Sequence, residues 1–362
     1  MSLLSFRPGR VGGAETYVRQ LVANLPLVAV RGDELLLVMD RDLAGSLDSP
    51  GWHRVVAPSG SMRVVAARIL EAYTPIRARR LERLFRSLRA DILFFPQQSV
   101  FPFHVAEPTV LTVVDIQHVM YPERFGLFDR TFRARVYPRS MARAARIIAI
   151  SEFTRDTLVE RCGMAPDAIA VVPLGSEAHA TDIVAASPSV VSGPYLLYPA
   201  ATYAHKGHED LFRTFAVLRR RGDLDARLVL TGERTKRWDR VLLPLLRSLG
   251  IDGDVVHLGF VSRDELHRLY CGARAVVFPS HFEGFGIPVL EAARFRKRIV
   301  TSRLQVFDEI GVPRHAQVDF TEPEQVLAAL RASAPTRLEK APVTWRACAE
   351  RTLEVLREAA AR

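Results

Sequence analysis

Ten short apolar runs, separated by segments with helical periodicity, constrain the fold of this chain most strongly. Five lie before residue 176, at 35–39, 91–96, 109–115, 145–151 and 169–175. Five follow residue 193, at 194–200, 226–232, 254–260, 273–280 and 297–302. Their continuous Val, Ile and Leu, without apolar and polar alternation, predict parallel strands buried on both faces, with helices crossing between them. The sequence therefore predicts an α/β protein with two doubly wound, Rossmann-like domains.

The segment between the two series predicts a domain linker. Residues 176–194 lose all periodicity and are rich in Ser, Ala and Pro. At 362 residues, the chain also exceeds the size at which a single hydrophobic core usually stops growing. We predict an N-terminal domain over 1–183 and a C-terminal domain over 184–343 that face each other across a cleft, where ligands of open parallel sheets collect.

Composition narrows the class of protein. With 48% hydrophobic residues, 25% charged residues and a mean hydropathy of +0.06, the chain is expected to be globular. It has neither an apolar run of about 20 residues nor a signal peptide pattern, so we expect a cytoplasmic location. The spacing of Cys162, Cys271 and Cys348 argues against a disulfide framework and a zinc site. The net charge of +10 predicts an anionic partner.

The stretch "HFEGFGIPVLEA" at 281–292 places two carboxylates around a glycine-rich turn. A buried strand precedes it, and Pro288 is suited to the first turn of a helix because its missing N–H would have no partner there. The free N–H groups and the dipole of that helix favour a diphosphate. Glu291, beside the anion, would then hold vicinal hydroxyls such as those of a ribose, and Glu283 would hold a sugar at the other end. The pattern predicts a nucleotide-sugar site.

The same stretch resembles the signature of the family 4 retaining glycosyltransferases of the GT-B fold, the glycosyl transferases group 1. Its two glutamates, its glycines and its proline all coincide with that signature. The resemblance implies that Glu283 is catalytic. It also implies that Gly284, Phe285, Gly286, Ile287 and Glu291 bind the donor.

Other segments resemble the family in the same order along the chain. "GRVGGAETYVRQL" at 9–21 resembles the loop in which Gly12 and Gly13 approach phosphate and acceptor, and "YPAATYAHKGHEDLF" at 198–212 resembles the segment in which Lys206 neutralises the leaving diphosphate. "HLGFVSRDELHRLY" at 257–270, which contains Val261, resembles the segment near the base and ribose. Many relatives carry Arg or Asn where this chain has Ala201 and Thr202, so Arg234 in "TGERTK" is a candidate second cation.

The block "LTVVDIQHVMYPERF" at 111–125 resembles the part of the N-terminal domain that lines the sugar and the acceptor. Asp115 and His118 are the catalytic candidates there, and His118 is expected to orient hydroxyls or to move protons near neutral pH. Many relatives have His at the position of Val114. Only "SLLSF" remains for the first strand, so either that strand is short or the true start lies upstream.

The family resemblance implies sugar transfer with retained configuration and without a metal or cofactor, because the nucleotide-sugar is itself a substrate. The acceptor would be a glycan or a lipid-linked glycan at the cytoplasmic face of a membrane. Similarity to bacterial mannosyltransferases suggests GDP-mannose as the donor. The final residues, 344–362, resemble the terminal helix that packs back on the first domain.

Three alternatives remain at this point. A GT-A glycosyltransferase would need a metal-binding pair such as Asp40 with Asp42 or Asp252 with Asp254, although both look like turn residues. A sugar-nucleotide epimerase would give a product without any acceptor. The third is a basic membrane-surface protein, because the stretch 54–89 carries nine arginines against two glutamates, with apolar residues at helical spacing. No nucleic-acid-binding signature is present.

Overall fold

The computed structural model describes residues 1–9, 12–176, 191–332 and 334–361. It divides into two compact units, one formed by Met1–Gly175 with Val343–Arg362 and the other by Ser176–Pro342. The predicted boundary at 183/184 and most of the predicted linker lie outside the described residues.

The N-terminal unit is built on a parallel sheet. Its strands are β1 (Leu36–Met39), β2 (His53–Val56), β3 (Leu93–Phe95), β4 (Thr109–Val113), β5 (Arg146–Ala149) and β6 (Ile169–Val171). Strand β1 pairs with β2, and β3 to β6 pair in sequence. Residues 1–3 join the two groups, because Ser2 bridges Val38 of β1 and its N–H donates to the Phe94 carbonyl of β3 at 2.8 Å. With residues 1–3 as the first strand, the order is 3-2-1-4-5-6-7.

The described residues of this unit before Gly163 contain seven α-helices. They are α1 (Gly12–Val28), α2 (Arg41–Ala44), α3 (Ser61–Tyr73), α4 (Arg79–Ser87), α5 (Gln117–Met120), α6 (Leu127–Arg143) and α7 (Glu152–Cys162). The start of α7 follows from its sequence, since the Ser151 hydroxyl accepts the Thr154 N–H at 3.0 Å and so satisfies a donor at the helix terminus. Gly163, in the left-handed region, ends it.

The interpretation of 54–89 as one amphipathic stretch was wrong in part. The stretch contains most of strand β2 and two separate helices, α3 and α4. Strand β2 was missed because it is an edge strand whose side chains are mostly exposed, so its sequence "HRVV" lacks the apolar run of a buried strand. The break between the helices falls at Thr74, where the backbone is extended just before Pro75.

The C-terminal unit repeats the plan. Its strands are β7 (Tyr195–Pro199), β8 (Arg227–Thr231), β9 (Val255–His257), β10 (Ala275–Phe278) and β11 (Arg298–Thr301). Its helices are α8 (His208–Arg220), α9 (Leu243–Leu249), α10 (Arg263–Gly272), α11 (Ile287–Arg294), α12 (Gln305–Glu309) and α13 (Pro323–Arg331). The parallel order β9-β8-β7-β10-β11 is 3-2-1-4-5 in chain order. Each of the ten predicted strands is present, and the prediction of two Rossmann-like domains is confirmed.

The last helix, α14 (Trp345–Ala360), belongs to the N-terminal unit, where it packs against α1 and the strands β4 and β5. Gly175 permits the close approach, because a Cβ there would lie 2.4 Å from the Trp345 backbone. Within the described ranges, none of the helices combines the length and the apolar character needed to span a membrane.

Candidate functional site

The turn between β10 and α11 is held in one conformation by its neighbours. Ser280 is fully buried, and Phe282 and Phe285 are buried. Gly286 has φ of +106°, a backbone conformation that side-chain-bearing residues avoid, and a Cβ there would lie 3.1 Å from the Phe307 ring. Helix α11 then begins, with a proline in its first turn as predicted. Its amino end therefore opens at the carboxyl edge of the sheet.

An ion pair lies beside this helix start. Lys206 Nζ donates to both carboxylate oxygens of Glu283, at 2.8 and 2.9 Å, and the Ser280 hydroxyl donates to Glu283 Oε1 at 2.7 Å. The two side chains are 20% and 15% exposed, so a ligand can still reach both. The structure thus joins two predicted site residues that lie 77 positions apart in the chain.

The turn that carries Lys206 is fixed by a buried tyrosine. Tyr198, in β7, donates its hydroxyl to the Lys206 carbonyl at 2.6 Å and lies 3.2 Å from the Ser280 hydroxyl. Burial, and then the charge of Glu283, raise the pKa of Tyr198 well above its ordinary value. The phenol therefore remains protonated and able to donate.

The loops after β7 and β10 are in direct contact. Gly207 has φ of +66°, and a Cβ there would lie only 2.0 Å from the Pro279 carbonyl oxygen. Beside it, the His281 N–H donates to the His205 carbonyl at 2.8 Å. This contact brings Lys206 within reach of Glu283.

Glu291 lies about one turn into α11. The Tyr270 hydroxyl donates to Glu291 Oε2 at 3.0 Å, and the Tyr270 ring stacks on Phe295 with centroids 5.3 Å apart. Burial raises the pKa of Glu291, while the hydrogen bond from Tyr270 lowers it. The carboxylate is thus held in place with its position set by α10.

The other predicted donor-binding residues follow β8 and β9. Arg234 is exposed, donates to the His257 carbonyl and lies 5.4 Å from the Trp238 ring centroid. Val261 is partly exposed and directly precedes Ser262, which caps α10. Among the described residues, no hydrogen bond or ion pair joins Arg234 to the Lys206–Glu283 pair. A ligand long enough to span the carboxyl edge would be needed to contact both.

The N-terminal unit carries the remaining predicted residues. Gly12 and Gly13 are exposed at the start of α1, and a Cβ on Gly12 would meet nothing within 4 Å. Asp115 follows β4, and its Oδ1 accepts the Gln117 N–H at 3.0 Å. His118 is buried, with its ring edge-on to Tyr137 at 4.9 Å.

The pKa of His118 bears on its two predicted roles. Burial, and then the positive charge of Arg133, lower it to about 4, so the imidazole is neutral at pH 7. Its Nδ1 has no hydrogen-bond partner among the described residues. A neutral imidazole with a buried, unpartnered nitrogen is suited to hydrogen bonding and not to carrying a charge. Both predicted roles of His118, orienting hydroxyls and moving protons, stay predictions.

Sequence reasoning missed four side chains that support the site: Tyr198, Tyr270, Ser280 and His208. His208 is 1% exposed at the start of α8, and its ring lies 4.8 Å from that of Tyr198. Burial is the largest cause that lowers its pKa, to about 3. The sequence indicated these four side chains only by their position. Each lies at or beside the end of a strand, or in a helix that belongs to one of the motifs.

Three of the four acids of the metal-binding alternative, Asp40, Asp42 and Asp254, have protein partners. Asp40 is fully buried, caps α2 by accepting the Leu43 N–H, and pairs with Arg7 at 3.0 Å. Asp42 accepts the Ser61 N–H at 2.8 Å, and Asp254 pairs with Arg219 at 2.9 Å. These contacts agree with their interpretation as turn and capping residues.

The chain matches two protein families that cover most of its length. Residues 11–178 match Glycosyltransferase Family 4, and residues 181–332 match Glycosyl transferases group 1. O-antigen chain mannosyltransferase B of Escherichia coli is 26% identical over 253 residues, 67% of this chain and 65% of that protein. O-antigen chain mannosyltransferase RfbU of Salmonella typhimurium is 25% identical over 228 residues, 62% of this chain. The match spans 61% of the length of RfbU.

Solved structures share the fold at lower identity. HepE of Anabaena, solved with UDP and glucose, superposes with a TM-score of 0.64 at 16% identity, over 97% of this chain and 93% of that one. Sucrose-phosphate synthase of Thermosynechococcus elongatus gives 0.70 at 17% identity, over 97% and 94%. Two Rossmann-like units of this order define the class as GT-B. The chain belongs to the family 4 glycosyltransferases, glycosyl transferases group 1, and the predicted family and enzyme class are confirmed.

Proposed function

We propose that this glycosyltransferase moves a sugar, with retained configuration, from a nucleoside diphosphate donor to a glycan or a lipid-linked acceptor. The observation that carries the proposal is the Lys206–Glu283 ion pair beside the amino end of α11. A cation, an oriented carboxylate and a helix start thus lie at one edge of the sheet. A sugar diphosphate needs all three, because its phosphates are bound by the cation and the helix start and its sugar hydroxyls by the carboxylate.

The chemistry follows from where charge develops. The bond between the sugar C1 and the diphosphate oxygen breaks, and negative charge grows on the leaving phosphate. Lys206 and the start of α11 stabilise that charge, which is the main need of a transition state like an oxocarbenium ion. The acceptor hydroxyl forms the new bond to C1 on the same face and gives its proton to a leaving phosphate oxygen. Glu283, steadied by Ser280, holds the sugar hydroxyls in position.

The nucleoside end would lie on the other side of the helix start. Glu291, which accepts a hydrogen bond from Tyr270, would accept hydrogen bonds from ribose hydroxyls. Arg234 and Val261 would lie along the base and ribose, and Gly284, Phe285, Gly286 and Ile287 would present backbone to the phosphates. In the N-terminal unit, Gly12, Gly13, Asp115 and His118 would serve the acceptor and the sugar.

The donor is proposed to be GDP-mannose, because the curated relatives at about a quarter identity include O-antigen mannosyltransferases. A thermal-shift panel of UDP, GDP and ADP and their sugars tests this. A cognate ligand at about 100 times its dissociation constant stabilises by roughly 2.7 kcal/mol. The largest shift should come from GDP and GDP-mannose. A larger shift with UDP or ADP would replace the proposed donor without affecting the proposed site.

We further propose that no metal is required, since cationic side chains and a helix start meet the diphosphate. Donor turnover in excess EDTA should equal that in buffer. If EDTA abolishes turnover and Mg²⁺ or Mn²⁺ restores it, this part of the proposal is wrong.

The variant Glu283→Gln tests the proposed catalytic role. It keeps the shape of the side chain but removes the charge that holds Lys206 and the sugar. Release of nucleoside diphosphate from the stabilising donor should fall by about 10²-fold or more, while nucleoside diphosphate binding is mostly kept. The matched control is Glu324→Gln, an exposed glutamate of the same unit that pairs with Arg221. Near-native turnover by Glu283→Gln would contradict the role.

Contact with an anionic membrane at the cytoplasmic face is proposed from the surface of α3 and α6. Met62, Leu127 and Phe128 are 84%, 79% and 60% exposed, and arginines surround them in the sequence. Apolar side chains among cations suit the interface of an anionic bilayer. Co-sedimentation with phosphatidylglycerol vesicles should exceed that with phosphatidylcholine vesicles. Phe128→Ser should weaken it and Val241→Ser, in the other unit, should not. Equal co-sedimentation with both kinds of vesicle would count against this contact.

A further inference from the structure

A second concave site lies in the N-terminal unit, away from the residues assigned to transfer. Its volume is about 390 Å³, within the range of small-ligand sites. It is lined by Arg77, Phe103, His104, Val105, Arg139 and Arg143. We call it the arginine pocket.

The arginine pocket lies at the amino edge of the N-terminal sheet. Arg143, the last residue of α6, donates to the carbonyls of Val105 at 2.6 Å and Glu107 at 3.2 Å. Those two residues directly precede β4, whereas Asp115 and His118 follow its other end. None of the residues proposed to serve donor or acceptor lines the pocket. A ligand here would therefore be distinct from both substrates.

The pocket has more positive than negative charge. Arg77 donates to both oxygens of Glu82, at 3.0 and 2.6 Å, and is neutralised. Arg139 lies over the Phe103 ring, 5.2 Å from its centroid, and Arg143 is held by carbonyls. Within the described part of the chain, no carboxylate forms a salt bridge with either of these two. Among the described residues, two guanidinium groups thus line one small space without a carboxylate salt-bridge partner.

A buried glutamate, Glu71, contacts the pocket wall and is protonated more readily than a glutamate in water. Glu71 is 3% exposed, and its Oε2 accepts the Phe103 N–H at 3.1 Å. Burial raises the pKa of Glu71. The Glu71 carboxyl group holds the backbone of the pocket wall. Among the described residues it forms no salt bridge with Arg139 or Arg143, so the pocket remains suited to an anion.

We propose that the arginine pocket binds a phosphate monoester group. Planar guanidinium groups match phosphate oxygens in paired hydrogen bonds. Two cations that have no carboxylate partner within the described chain suit a doubly charged phosphate better than a singly charged carboxylate ligand. Phe103 and Val105 supply an apolar wall for the carbon that carries the phosphate. Such a group occurs both on soluble phosphate esters and on the lipid phosphatidic acid. The first would reach the pocket from solution and the second from a membrane surface.

The test uses the full-length protein and two probes. Glycerol 3-phosphate is titrated by calorimetry, and vesicles of phosphatidylcholine with and without phosphatidic acid are used in co-sedimentation. Arg139→Gln removes one cation from an exposed position. Arg139→Lys keeps the charge but lacks the planar guanidinium group and its paired N–H donors. The control is Arg161→Gln, an exposed arginine at the end of α7 with the same change in net charge.

The expected result is that Arg139→Gln weakens binding about tenfold or more, Arg139→Lys weakens it less, and Arg161→Gln leaves it unchanged. If glycerol 3-phosphate shows this pattern, the ligand is a soluble phosphate ester. If only phosphatidic acid vesicles show it, the ligand is a lipid headgroup. If neither probe binds, or if Arg161→Gln weakens binding as much as Arg139→Gln, the proposal is overturned. Circular dichroism of each variant identifies any that fail to fold.

Discussion

The two sheets share the strand order 3-2-1-4-5, yet their carboxyl edges are constructed differently. In the C-terminal unit, opposite charges meet directly, as in the pair of Lys206 with Glu283, and buried hydroxyls hold them. In the N-terminal unit, the corresponding edge has His118, which is neutral at pH 7 and whose buried Nδ1 has no hydrogen-bond partner in the described part of the chain.

We propose that this difference matches the two halves of the proposed transfer reaction. Charge develops on the leaving diphosphate, so fixed dipoles and cations are most useful where the donor binds. An acceptor hydroxyl needs orientation more than neutralisation. The same fold can therefore serve two different chemistries at its two carboxyl edges, because loop residues and not strand order determine the chemistry.

The largest effect is expected in a comparison of stability between two glycine variants, one in each unit. Gly207→Ala would place a methyl group 2.0 Å from the Pro279 carbonyl and strain a residue with φ of +66°. We expect the C-terminal unit to lose roughly 3 kcal/mol or more, and donor binding to be lost as well. Gly12→Ala meets no neighbour within 4 Å and should leave stability nearly unchanged. Urea unfolding of both variants measures this. Equal stabilities would show that the close loop contact does not exist.

An acid-stability comparison comes next. The pKa values of His208 and His257 in the C-terminal unit are lowered to about 3 and about 4, and that of His118 in the N-terminal unit to about 4. A depressed histidine pKa stabilises the fold above the unfolded value of about 6.5, and that stability is lost as the pH falls towards the folded value. Acidification from pH 7 to 5 should therefore cost about 2 kcal/mol per histidine.

Hydrogen exchange resolved by unit provides the measurement. The C-terminal unit should lose more protection than the N-terminal unit between pH 7 and 5, once intrinsic exchange rates are corrected. His208→Phe should reduce that loss because its ring contacts are the aromatic rings of Tyr198 and Phe212. If the N-terminal unit is the more sensitive to acid, the assignment of buried neutral histidines is wrong.

The smallest effect is expected from two tyrosine variants. Tyr270→Phe removes a hydrogen bond to Glu291 in one unit, and Tyr17→Phe removes one to Thr112, 3.1 Å away, in the other. Each should cost about 1 kcal/mol of stability. Only Tyr270→Phe should also raise the dissociation constant of the cognate nucleoside diphosphate, by several-fold, in calorimetry. A similar loss of affinity in both variants would mean that Glu291 has no special contact with the nucleoside.

The sequence predicted the sheets because buried parallel strands require continuous apolar runs. Strand β2 escaped because an exposed edge strand has no such requirement. The candidate residues could be named from a local motif, but their partners could not. Tyr198 and Ser280 lie 82 positions apart and meet only when two strands are adjacent. The lowered pKa of His118 likewise depends on burial, which the whole domain determines.

The most direct test of the central claim is calorimetric titration of the cognate nucleoside diphosphate into Lys206→Met. The account predicts that the dissociation constant rises about tenfold or more, equivalent to at least about 1.4 kcal/mol. Lys340→Met, which changes a lysine of the same unit that contacts the Glu309 carbonyl, should bind as the native protein does. Native affinity in Lys206→Met would contradict the claim that the diphosphate lies beside the Lys206–Glu283 pair.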